Sequence, residues 1–229
     1  MKISAYFTML SLLFTAVIAG SATFAAAPVA GGASVDFASG QVQVVSQSGT
    51  SDAKSGQALA KGDVLRTGKD SAAILLMSDG SRIKLNPETR VEIGSAEKGN
   101  TELLLQSGAV FSKVQKQGPQ NRFLIRTKTA VMGVRGTEFY TAFGKESKGG
   151  SDVWMCVHEG KVEVESAKDG KKVMVNPGEG VFVPVGQGVT PPKKYGWTET
   201  LNWNMNPGAG ELIDRTRIDY QDLLKQDYD

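Results

Sequence analysis

Apolar and polar residues alternate in short runs along most of this chain, and each run is closed by a turn built on glycine or proline. Arg82-Ile83-Lys84-Leu85, Arg90-Val91-Glu92-Ile93, Lys161-Val162-Glu163-Val164-Glu165 and Lys172-Val173-Met174-Val175 repeat with the period of two that puts apolar side chains on one face of a strand. Each predicts a strand with one wet face. Two further runs, Ala73-Ile74-Leu75-Leu76-Met77 and Val153-Trp154-Met155-Cys156-Val157, are apolar throughout and predict strands covered on both sides. Asp79-Gly80, Asn86-Pro87, Ser107-Gly108, Glu159-Gly160, Asp169-Gly170 and Pro177-Gly178 supply turns between the runs. Turns spaced by roughly 8 to 12 residues predict an all-β fold: a β-sandwich, a barrel or a short β-solenoid.

One stretch echoes another. Residues 79–93 align without a gap on residues 169–183, both reading as turn, strand, Asn-Pro corner, strand. Asp-Gly tolerates the positive dihedrals of a tight hairpin, whereas Asn-Pro ends a strand because proline cannot donate to a ladder and restricts the residue before it. Two copies predict either a duplicated unit or two turns of a coil of strands, and are too few for a repeat protein.

The ends of the chain read differently. Residues 27–40 are rich in Ala, Gly and Ser and predict a flexible lead-in to a β-domain over 41–188. Residues 189–229 predict a linker and a C-terminal helical arm. Pro191-Pro192 and Asn206-Pro207-Gly208 interrupt the chain around Trp197 and Trp203, after which Leu212, Thr216, Tyr220, Leu223 and Leu224 fall near one face of an amphipathic helix over 211–225. The two tryptophans and the helix either pack back on the β-domain or form an arm that docks a partner, since tryptophan and tyrosine are favoured at interfaces.

Ahead of all this, Lys2 and a largely apolar run over 3–20 lead to Ser21-Ala22-Thr23-Phe24-Ala25-Ala26-Ala27, the layout of a secretory signal peptide over residues 1–26 cleaved after Ala25 or Ala26. The competing reading is a retained anchor, because the apolar run approaches the roughly 20 residues that span a bilayer. No later segment is apolar for long enough to cross one, so a cleaved chain is expected to be periplasmic or secreted and not an integral membrane protein. The remaining length suffices for a core without disulfides. Cys156 is the single cysteine, and its neighbours Trp154, Met155 and Val157 predict burial. Twenty-six Lys and Arg against 24 Asp and Glu, with no basic stripe, argue against a nucleic-acid partner.

Chemistry is sparse. His158 is the single histidine, so zinc or iron sites needing two histidines are excluded within one chain. Cys156 and His158 share one face of a strand and could form half a metal site, but Glu159-Gly160 turns the chain at once and no further soft ligand follows. The nucleophile elbow, the phosphate-binding loop and the dinucleotide fingerprint are all missing. No catalytic, cofactor-binding or metal-ligating residue is assigned, no cofactor is implied, and the chain is expected not to be an enzyme.

The run Thr129-Ala130-Val131-Met132-Gly133-Val134-Arg135-Gly136-Thr137-Glu138-Phe139 resembles the signature of the FecR domain. Gly62-Asp63-Val64-Leu65-Arg66-Thr67-Gly68, Ser78-Asp79-Gly80-Ser81-Arg82-Ile83-Lys84-Leu85 and Val157-His158-Glu159-Gly160-Lys161-Val162 stand in the family's order, so the resemblance covers roughly residues 60–185. The resemblance implies an all-β module of bacterial envelopes. Well-known members look like envelope-spanning regulators with a cytoplasmic segment that controls a sigma factor. Here only Met1 and Lys2 precede the apolar segment, so this chain looks like the stand-alone exported type. Within the signature, the glycines predict a bulge or corner between Arg126 and Tyr140. Arg135 either anchors neighbouring strands or offers its guanidinium to a carboxylate or sugar, and Thr137 and Glu138 share that ambiguity. Thr127, Arg135 and Glu138 are the residues whose substitution is expected to tell most, through stability more than through a specific activity.

Two functions follow. One is an envelope protein-interaction or signal-sensing module that uses exposed strand edges or the C-terminal arm, with an envelope or secreted protein as partner. The alternative is a glycan- or peptidoglycan-binding module. A surface row of Tyr140, Phe143 and Trp154 would favour the glycan, and burial of all three the protein partner.

Overall fold

A computed structural model describes residues 32–216 except 98, 117, 119 and 145–151. Strands follow one another almost without interruption. The first part of the chain forms β1 (Ala33–Ser39), β2 (Val42–Ser46), β3 (Gly49–Asp52), β4 (Ala58–Leu59), β5 (Val64–Thr67), β6 (Ala72–Met77), β7 (Arg82–Leu85) and β8 (Arg90–Glu97). The longest, β9 (Asn100–Lys113), comes next. Then come β10 (Arg122–Arg126), β11 (Ala130–Val134), β12 (Glu138–Phe143), β13 (Val153–Glu159), β14 (Val162–Ser166), β15 (Lys172–Val175), β16 (Glu179–Val183) and β17 (Lys193–Lys194).

These strands form a two-sheet sandwich. The first sheet runs β4-β1-β6-β7-β9-β12-β13-β16-β17 and the second β3-β2-β5-β8-β9-β10-β11-β14-β15, so β9 belongs to both. Up to Ser107, β9 pairs with β8, and from Gly108 onward it pairs with β12. Neighbours are antiparallel apart from β9 and β10, which run parallel. The core lies between the sheets and is built from alternate residues of both, among them Leu65, Leu75, Ile93, Leu103, Phe139 and Val164. β6 and β13 are buried on both faces, as their unbroken apolar runs predict.

The aligned units over 79–93 and 169–183 are two equivalent corners used in opposite senses. Asn86-Pro87-Glu88 takes the chain from β7 in the first sheet to β8 in the second, and Asn176-Pro177-Gly178 takes it from β15 in the second to β16 in the first. Glu88 (φ 58°) and Gly178 (φ 78°) occupy the same left-handed position. Ser107-Gly108, read in the sequence as a turn, is instead the point at which the continuous β9 bends from one sheet to the other.

Both ends of the domain depart from expectation. The lead-in read over 27–40 contains β1, which pairs with β6 and contributes Ala33 and Val35 to the core. The signal segment over 1–26 lies outside the described residues. The C-terminal amphipathic helix is not supported, because residues 211–216 are irregular and the rest of the span lies outside the described residues. Within 211–216, side-chain competition for the backbone accounts for the irregularity: Asp214 Oδ1 accepts from Thr216 N (3.1 Å), a local bond in place of a helical one.

Residues 195–216 form a strap along the outer face of the first sheet. Tyr195, Leu201 and Met205 pack on Phe111, Tyr140, Trp154 and Cys156, and Leu212 packs on Ala72 and Ile74. Trp203 meets the Phe111 ring edge-on (5.1 Å) and stacks on His158 (4.6 Å). No hydrophobic cluster of described residues sits on the outer face of the second sheet. Among the described residues, no helix is long and apolar enough to cross a membrane.

Candidate functional site

Three of the four signature stretches converge where β9 leaves the first sheet. The close approach of Glu159-Gly160 to Gly136-Thr137 requires glycine: a Cβ on Gly160 (φ 83°) would lie 2.6 Å from the Gly136 carbonyl oxygen. From the other side, Ser81 Oγ accepts from Gln115 N (3.1 Å), and its own N donates to Asp79 Oδ1 (2.8 Å). The chain bulges between Glu138 and Phe139, within the span where the glycines predict an irregularity. Glu138 is buried there against Lys113 (Nζ to Oε2, 3.2 Å). Lys113, Gln115, Lys116, Thr137, Glu138 and Glu159 line a cleft of about 290 Å³.

The fourth stretch is a structural pin at the bend of β9. Thr67 Oγ1 donates to the Asn86 carbonyl (2.6 Å) and accepts from Thr89 N (3.0 Å), while Thr89 Oγ1 accepts from Ala109 N (2.9 Å). Thr127 is structural as well. Its Oγ1 accepts from the backbone N of Thr129 (3.2 Å) and Ala130 (3.0 Å) and closes the β10–β11 hairpin. The structure therefore separates Thr127, Arg135 and Glu138 into a turn, an exposed groove and a buried carboxylate paired with an exposed lysine.

That groove lies on the uncovered face of the second sheet. Leu124, Gly133, Glu163 and Met174 stand opposite one another on β10, β11, β14 and β15, and so point to one side. Gly133 leaves a hollow in the middle of this row. A Cβ there would make ordinary contacts at 3.8 Å (Glu163 O) and 3.9 Å (Leu124 Cδ2), so the ladder does not demand glycine. The groove measures about 500 Å³, and Arg122, Arg135 and Lys161 add three cations at one end. Met174 is 48% exposed, in contrast to the apolar residues under the strap. The Glu163 carboxylate is held by Lys172 Nζ at 2.9 Å, and Lys172 also reaches Glu165 at 3.3 Å.

The covered sheet contains a group that its sequence pattern misplaces. Alternation in β7 puts Lys84 on a wet face, yet Lys84 is fully buried. Its Nζ lies 4.1 Å from the centre of the Phe111 ring and donates to the Asn202 carbonyl and, at 2.8 Å, to the Asn204 carbonyl of the strap. Burial pulls its pKa down from 10.5 to about 8, although the charges of Asp214 and Glu138 act to raise it. Nothing in a single sequence marks this lysine, because the strap that buries it arrives some 120 positions later. Beneath the same strap, burial pushes the Cys156 thiol up to about 12. Cys156 and His158 do share the strap-facing side, where His158 stacks on Trp203. Among the described residues, no group of three or more His, Cys, Asp or Glu could hold a metal.

Residues 63–163 match the family model described as FecR protein. No curated protein matches the chain. Two solved structures, at 1.65 and 2.50 Å resolution, of "a putative anti-sigma factor from Parabacteroides distasonis ATCC 8503" are similar to it. Each shares 20% identity with a TM-score of 0.49, covering 57% of this chain and 59% of the other.

Proposed function

Because this chain carries a FecR domain over residues 63–163, we propose that it is a signal-sensing or regulatory protein of the bacterial envelope that acts by binding another protein and not by catalysis. The observation that carries this reading is the unequal treatment of the two outer faces. One is sealed by the chain's own strap, while the other presents Leu124, Gly133 and Met174 in a cation-edged groove. An exposed Met174 beside a half-buried Leu124 in a concavity favours a macromolecular contact. The glycan reading is weakened, since Tyr140, Phe143 and Trp154 are all buried and offer no ring on which a sugar could stack.

Export to the periplasm or medium belongs to the same proposal and rests on the signal-like layout of residues 1–26. Cell fractionation tests it: a tagged chain retained in the cytoplasm would overturn the envelope assignment. Photo-crosslinking in the native host tests the binding role. A crosslinker at Met174 should capture one dominant protein, while the same group at Val185, which is comparably exposed but outside the groove, should not. Equal capture at both positions, or none at either, would overturn it.

A further inference from the structure

We propose that the groove around Gly133 seats an extended acidic segment of the partner protein, with one apolar side chain of that segment filling the hollow above Gly133. This rests on the reading of the chain as a protein-binding module and adds the chemistry of what is bound. The hollow is the first argument. Gly133 is not held by backbone geometry, so the missing side chain has one evident effect, which is to open space between Leu124 and Met174. Met174, half exposed and flexible, is suited to close over an incoming apolar group.

Charge is the second argument. Arg122 and Lys161 are exposed, make no ion pair among the described residues, and stand with Arg135 at the ends of adjacent strands. Strands lie about 5 Å apart, so Arg122 and Lys161, on either side of Arg135, fall within about 10 Å of one another, a like-charge pair that costs stability. Glu163, the acid that lines the same groove, is already held by Lys172. Carboxylates from a bound segment would relieve the repulsion, and arginine forks donate to them in bidentate fashion. A phosphate polymer would meet the same cations but leave the hollow empty, and for that reason a peptide is favoured.

The test uses the full chain and fluorescein-labelled octapeptides with Leu-Phe at the centre and three residues on each side, acidic in one and lysine in the other. Inorganic polyphosphate of matching charge serves as the polyanion without apolar groups. Anisotropy should report binding of the acidic peptide that weakens as salt is raised. It should fall about tenfold or more in Arg122→Glu/Lys161→Glu and in Gly133→Leu, with circular dichroism unchanged. Met174→Ser, a milder change at the rim of the hollow, should weaken it less. The proposal is overturned by equal affinity for the lysine peptide or polyphosphate, by affinity untouched in both groove variants, or by no binding of the acidic peptide at about 1 mM. If photo-crosslinks from Met174 persist in that last case, the protein-binding role stands and only the acidic chemistry fails.

Discussion

At the scale of single residues, the buried Lys84 ties the first sheet to the strap through the Asn202 and Asn204 carbonyls. Its folded pKa of about 8 lies below the ordinary 10.5, so between those values the unfolded chain holds more protons, and raising the pH favours the fold. Cys156 acts in the opposite sense. Its thiol moves from 9.0 to about 12 on folding, so stability is lost above pH 9 as the unfolded chain releases that proton. We therefore expect stability to denaturant to rise by about 1 kcal/mol from pH 8 to 9 and then to stop rising. Lys84→Met should abolish the rise, and an unchanged pH slope in that variant would refute the assignment. Glu88 offers a second test. It is an exposed non-glycine residue in a left-handed position that glycine fills at the equivalent corner, so Glu88→Gly should raise stability by up to about 1 kcal/mol in urea melts. Both residues mark limits of what could be read from sequence. Alternation assigns Lys84 to solvent because it sees only nearest neighbours, and the equivalence of Glu88 to Gly178 is legible in the alignment while its dihedral is not.

At the scale of elements, the strands and corners were legible because their causes are local. Period-two alternation and the Asn-Pro corners depend on residues within a few positions, and the structure places both corners where the aligned units put them. Ser107-Gly108 misled for the opposite reason. Its turn-forming chemistry is real, since Gly108 has φ 91°, but the pairing of β9 with strands on both sheets converts the turn into a bend. A Cβ at Gly108 would lie 2.5 Å from Thr89 Cα, which is backbone and cannot yield. Gly108→Ala should thus cost about 3 kcal/mol, combining left-handed strain with overpacking, and be read as a lower melting temperature. Of the helix expected over 211–225, the described part, 211–216, is irregular: Leu212 packs on Ala72 and Ile74, and Asp214 accepts from the backbone N of Thr216. Of the candidate site, the signature loop could be found from sequence, whereas the groove could not, because it needs the register that aligns Leu124, Gly133, Glu163 and Met174 across four strands.

At the scale of the whole molecule, the strap decides which face is available. Leu201→Asp/Met205→Asp should release it, exposing Phe111, Tyr140 and Trp154. We expect enhanced binding of a hydrophobic dye and altered fluorescence from Trp203, with the β-sheet circular dichroism retained. Loss of the sheet signal itself would mean that the strap is part of the folding core and not a cover. The sharing of β9 reaches further still. Its fourteen residues are in register with β8 and β10 in one layer and with β7 and β12 in the other. A slip of one position would send core side chains outward in both layers at once, because strand residues alternate sides. The chain thus has one alignment to find, and an error anywhere along β9 is penalised by both sheets together, so that the strand acts as the molecule's own check on its assembly.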